Sequence, residues 1–179
     1  MKAAQMSNSV MIGQGDIFWA KAPCVISTIL GSCVAVCLFD ERRKVGGMNH
    51  IVTPMPVAGR ADSHSAEHAI EQLIHRMVAE GSSVRGLTAK LFGGGVPSWA
   101  APGSQLAVGK SNVEAAHAVL RRHGIPIIAE CTGRDGGLKI LFDTQSGAVY
   151  VQQIAEIRAK RASALRRRSH HPAAPMIAA

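Results

Sequence analysis

The sequence predicts an α+β protein whose sheets are mixed or largely antiparallel and are covered by two main helices. Three observations predict it. Runs with strand character outnumber helical ones, and consecutive runs are joined by short turns rather than by helical crossovers. Only two stretches repeat their apolar residues at the three-and-four spacing of an amphipathic helix.

Taken in order, residues 10–19 read as a first strand or extended arm broken by Gly13 and Gly15, and residues 24–30 as a second strand. Gly31-Ser32-Cys33 is a small-residue turn that leads into Val34-Ala35-Val36-Cys37-Leu38-Phe39, whose β-branched and aromatic content marks a buried strand ended by Asp40. After the charged turn Glu41-Arg42-Arg43-Lys44, residues 45–52 return as the partner strand of a hairpin. Residues 58–62 form a polar connection. Residues 63–80 read as a helix, because Ala66, Ala69, Ile70, Leu73, Ile74 and Met77 fall on one face, and Gly81 is its C-cap. Residues 87–92 form a strand running into Gly93-Gly94-Gly95. The loop from there to Gly109 holds Pro97, Trp99 and Pro102 and is long enough to serve function, with Trp99 either a loop anchor or a substrate platform. Ser111 and Glu114 have the spacing of a capping box, which places the start of a second helix at Ser111 and its end at Gly124. Three strands follow, at 125–131, 138–142 and 148–152, the last two joined by the turn Asp143-Thr144-Gln145-Ser146-Gly147. Residues 1–154 are expected to form one domain. Residues 155–179, rich in Ala and Arg, read as a basic tail, a frayed helix giving way to disorder.

Composition narrows the function. The 179 residues are 47% hydrophobic, enough to bury a substantial core, yet no apolar run is long enough to cross a bilayer and the N-terminus lacks the apolar centre of a secretory signal. A cytoplasmic protein is expected, with Cys24, Cys33, Cys37 and Cys131 as thiols rather than disulfides. The net charge of +8 is uneven: residues 1–154 hold 14 Lys and Arg against 11 Asp and Glu, while residues 155–179 hold six basic residues against Glu156 alone. A near-neutral domain with 4% aromatics has neither the basic footprint nor the stacking platform of a nucleic-acid binder.

The best case for catalysis is Cys33 with His50. A cysteine at the mouth of a buried strand can face a cleft, its Gly31-Ser32 approach leaves room for a substrate carbonyl, and a hairpin can bring His50, seventeen positions on, beside it. Cys37, in mid-strand, reads as inert packing. Other patterns have bland explanations. GSQLAVGKS at 103–111 has five residues rather than four between its glycines and no strand immediately before it, so it is not a phosphate-binding loop. His64, His68 and His75 share a helical face opposite the apolar stripe, the place of a solvated surface. A zinc site from Cys24, Cys33, Cys37 and His50 lacks CxxC spacing. No metal or cofactor is expected.

In LGSCVAVCLFD (30–40), KVGGMNHIVTP (44–54), KLFGGG (90–95), VGKSNVEAA (108–116) and GLKILFDTQSGAVYV (137–151), the chain resembles the CheD family of chemoreceptor glutamine deamidases, block for block and in order. The resemblance implies a three-layer α/β/β sandwich similar to the catalytic fold of cytotoxic necrotizing factor. It also implies deamidation of methyl-accepting chemotaxis receptors, with Cys33 as nucleophile and His50 as base. The partners implied are those receptors, through which alone the protein would meet the membrane, and in some family members a CheC-type phosphatase. A non-enzymatic adaptor of the same fold is the alternative, against which the intact Cys33 and His50 speak. The family's third catalytic residue, a threonine six positions before the cysteine, meets Ser27 here, with Thr28 next to it. A tight turn at Leu30-Gly31 would put the Ser27 hydroxyl opposite Cys33, so Ser27 is expected to orient His50, with Thr28 the alternative.

Overall fold

The computed structural model describes residues 8–58, 62–96, 106–134 and 136–159. Its strands form two sheets. The first has the order β1 (Ser9–Met11), β3 (Val25–Leu30), β8 (Leu138–Asp143), β9 (Val149–Gln153). The second has the order β2 (Ile17–Ala20), β5 (Val45–Asn49), β4 (Val34–Asp40), β6 (Leu87–Gly93), β7 (Ile127–Thr132). All pairs are antiparallel except β1 with β3 and β6 with β7, so the α+β class with mixed, largely antiparallel sheets holds. The main helices are α1 (Ala66–Ala79) and α2 (Leu106–Arg122), with short 3-10 turns at Asp62–His64 and Val84–Gly86.

Two apolar clusters define three layers. β4 is buried along its whole length because both its faces are covered. Val34, Val36 and Leu38 point to the helices and meet Ala69, Ile70, Leu73 and Leu120. Ala35, Cys37 and Phe39 point the other way and meet Ile26, Ile140 and Phe142 of the four-stranded sheet. Each fully buried side chain of this size stabilises the fold by about 1.5–3 kcal/mol, so β4 is the strand on which both interfaces depend. The layers run helices, five-stranded sheet, four-stranded sheet, an α/β/β sandwich.

Several expected elements move. Residues 10–19 are not one arm: β1 joins one sheet and β2 the other. Between them the chain reverses at Gly13–Asp16, with Gly15 at φ +79°. Helix α2 starts at Leu106, so Ser111 and Glu114 lie inside it and form no capping box. Gly109, which looked like loop, is helical because α2 packs there against a backbone with no room for a side chain; a Cβ on Gly109 would lie 2.4 Å from the Gly94 carbonyl oxygen. The loop holding Pro97, Trp99 and Pro102 is outside the described residues, as is the tail from residue 160. Residues 154–159 are helical.

Candidate active site

Consecutive strands β3 and β4 belong to different sheets, and Gly31-Ser32-Cys33 is the crossing between them. Cys33 therefore stands at the lip of the space between the sheets. The crossing is held by main chain from the end of β6: the Gly95 N–H donates to the Gly31 carbonyl at 2.9 Å and the Gly94 N–H to the Cys33 carbonyl at 2.8 Å. Only glycine allows this approach. Gly93 has φ +103°, and a Cβ there would lie 2.2 Å from the Cys33 carbonyl oxygen. From α2, the buried Asn112 completes the clamp, its Nδ2 donating to the carbonyls of Ser32 and Val52 at 3.0 Å each. One side chain thus ties the residue before Cys33 to the strand end just after His50. The sequence reading missed the roles of Asn112 and the three glycines, although their blocks KLFGGG and VGKSNVEAA were visible.

The hairpin does what its spacing predicted. Cys37 pairs with Met48 and Val34 bridges Ile51, so strict alternation puts the side chains of Cys33, Ala35, Cys37, Met48 and His50 on one face, with His50 diagonal to Cys33. Both line a cleft of about 240 Å³ whose walls include Ile29, Leu30 and Ile154. The strand ahead of His50 also pairs on its far side, where the His50 N–H donates to the Asp16 carbonyl at 3.0 Å and the His50 carbonyl accepts from the Gly15 N–H at 2.9 Å.

His50 is 4% exposed. Its Nδ1 lies 2.8 Å from Thr28 Oγ1, and the Thr28 hydroxyl donates to the Ile12 carbonyl, also at 2.8 Å. With its single proton committed to Ile12, Thr28 can only accept from His50, so Nδ1 carries the ring proton and Nε2 the lone pair. Nε2 is buried and makes no hydrogen bond to the described residues. Burial pushes the His50 pKa down to about 4; the nearby Asp16 opposes that shift and His64 adds to it. At neutral pH the ring is an uncharged base whose available nitrogen is fixed by Thr28.

Here the expectation for Ser27 fails on geometry. β3 alternates buried Ile26, Thr28 and Leu30 with more exposed Val25, Ser27 and Ile29, which turns Thr28 into the space between the sheets. Ser27 pairs with Leu141 on the other face of the same sheet. The chain does not make a tight turn within one sheet but passes from one sheet to the next, so the inward residue is the one that reaches His50. Cys37 is buried as expected, and desolvation pushes its thiol pKa far up. Cys24, Cys33, Cys37 and His50 do not gather into a ligand set among the described residues. His64 is not on the helical face with His68 and His75; it lies in the 3-10 turn before α1, its ring against Gly15. Lys110 and Ser111 sit within α2 rather than in a loop ahead of it.

The fold and site define an α/β/β sandwich with a cysteine, a histidine and a threonine brought together where the two sheets meet. Sequence comparison places the chain among proteins already described. The family described as CheD chemotactic sensory transduction matches residues 56–153. A relative from Rhodospirillum rubrum is 43% identical over 141 residues, 78% of this chain and 79% of its own length. One from Sulfurimonas denitrificans is 38% identical over 144 residues, 80% and 92% of the two chains. A third, from Methanococcus maripaludis, is 37% identical over 149 residues, 82% and 96%. Each of the three is named a probable chemoreceptor glutamine deamidase CheD. The chain belongs to the CheD family.

Proposed function

We propose that this protein deamidates glutamine side chains of methyl-accepting chemotaxis receptors, with Cys33 as nucleophile, His50 as general base and acid, and Thr28 as the group that orients His50. The supporting observation is the chain of hydrogen bonds from Ile12 through Thr28 to His50, which leaves Nε2 as the basic nitrogen of a ring lining the same cleft as Cys33. The names of the relatives supply the substrate class.

The steps follow from that placement. His50 Nε2 takes the thiol proton as Cys33 sulfur attacks the carboxamide carbon, and the carbonyl electrons move onto oxygen. The oxyanion forms beside the Gly31–Cys33 crossing, whose Gly31 and Cys33 carbonyls are already engaged by the Gly95 and Gly94 N–H groups. His50 returns its proton to the departing nitrogen, ammonia leaves, and a thioester remains. Water then attacks the thioester with His50 again as base, releasing glutamate and the thiol. A neutral His50 favours proton transfer during attack over a standing thiolate–imidazolium pair, because burial disfavours the charged ring. The receptor portion exposed in the cytoplasm is the expected meeting place.

The test is mass spectrometry of a receptor cytoplasmic fragment incubated with the wild-type protein or with Cys33→Ala. Each converted glutamine gains roughly one dalton as amide becomes acid. A gain with the wild type and none with the variant is the expected result; no gain with the wild type refutes the reading.

A further inference from the structure

We propose that Arg158 is a specificity-determining residue that selects target glutamines with an acidic neighbour in the substrate, an inference that rests on the deamidase reading above. Leu30, the residue before the Gly31-Ser32-Cys33 crossing, pairs with Leu138, and Leu138 pairs with Gln153. These three residues form one row across three strands, so Gln153 stands roughly 10 Å from Leu30 at the same end of the sheet. The chain does not leave the domain there. The Ile154 N–H donates to the Gly137 carbonyl at 2.8 Å, and Ile154 packs so closely over Gly137 that a Cβ at Gly137 would lie 2.9 Å from it. That anchor starts the helical residues 154–159 against the cleft, and Ile154 and Arg158, four apart on one helical face, both line it.

Among the described residues that line the cleft, Arg158 is the one with a fixed charge; the others are apolar, neutral polar or His50. The structure gives its guanidinium no ion pair among the described residues. A glutamine entering the cleft is neutral and needs no cation. Among the described residues of the cleft wall, a carboxylate beside that glutamine finds its opposite charge at Arg158, in the planar fork geometry that arginine offers to carboxylates. Charge at such a rim steers and selects more than it tightens, so the effect belongs in the ratio of kcat/KM between substrates.

The test is a charge swap on the full chain. Two receptor fragments are compared, one with Glu and one with Lys beside the same target glutamine, using wild type and Arg158→Glu. Exchanging attraction for repulsion at an exposed pair corresponds to roughly tenfold in kcat/KM. Wild type is expected to favour the Glu-flanked fragment by about that factor, and Arg158→Glu to favour the Lys-flanked one. Equal ratios in the two proteins overturn the assignment while leaving the deamidase reading intact. Failure of the wild type to deamidate either fragment, or the unmodified receptor fragment, overturns both. Arg158 is exposed, so the swap does not threaten the core, and a melting temperature matching the wild type confirms it.

Discussion

Replacing Thr28 by Val keeps the shape of a side chain that is 1% exposed and removes only its hydroxyl. Two groups then lose partners inside the protein: the Ile12 carbonyl, which accepted from that hydroxyl, and His50 Nδ1–H, which donated to it. An unpaired buried group costs about 1–3 kcal/mol, so with two of them the variant should lose about 2–6 kcal/mol and melt roughly 5–20 °C lower. The catalytic loss has a separate origin. Without its acceptor at Nδ1 the ring proton is free to move to Nε2, where it blocks the lone pair that Cys33 needs. A preference of about 1.4–2.8 kcal/mol between tautomers is a factor of about 10–100, and kcat should fall by that much with little change in KM. Thr28→Ser restores the hydroxyl and should recover most of the rate. Ser27→Ala, on the opposite face of β3, should change kcat less than about threefold. Thermal melting reads the stability loss, and ammonia release from a receptor fragment, with alkylation of Cys33 in the folded variants, reads the catalytic one. A wild-type kcat in Thr28→Val, or an equal loss in Ser27→Ala, refutes the assignment of Thr28.

Native-state alkylation at neutral pH should label Cys33 and spare Cys37, whose burial raises its thiol pKa far above the usual value; labelling of Cys37 at a similar rate in folded protein contradicts that picture. His50 should make stability depend on acid. Its folded pKa of about 4 lies below the ordinary 6.5, so between those values the unfolded chain binds a proton that the folded one refuses. This contribution to stability is complete above pH ~6.5 and falls by about 3 kcal/mol as pH drops to ~4. Urea titrations across that window should show the slope, and His50→Gln should flatten it; an unchanged slope in the variant disproves the link. Gly93→Ala must place a methyl 2.2 Å from the Cys33 carbonyl at φ +103°, and should cost more than about 3 kcal/mol or yield a folded protein without deamidase activity. A fully active, wild-type-stable Gly93→Ala would show that the clamp is dispensable.

The pairing of Cys33 with His50 could be read from the sequence because hairpin register is arithmetic: a short charged turn and strict alternation fix which residues share a face. The choice between Ser27 and Thr28 could not. In VISTIL both faces carry two apolar residues, Val25 and Ile29 on one and Ile26 and Leu30 on the other, so the binary pattern does not say which face is inward. That is decided by the neighbouring sheet, a long-range fact. The start of α2 was hidden for a similar reason. Gly109 opposes a helix by propensity, at about 1 kcal/mol, and the compensating contact with Gly94 is invisible locally. Asn112 likewise gave no local signal, since nothing near it in sequence announces the carbonyls of Ser32 and Val52.

The proposed base and its orienting partner come from opposite sheets: Thr28 lies in the four-stranded one, while His50 follows β5 of the other. Neither sheet alone contains a competent site. During refolding, therefore, recovery of turnover should lag behind recovery of secondary structure and coincide with docking of the two sheets, a late event dominated by contacts distant along the chain. The same logic runs in reverse under mild denaturant. A slight parting of the sheets at the cleft would silence the enzyme while each sheet kept its hydrogen bonds, so loss of activity should be an earlier alarm of unfolding than any change in circular dichroism.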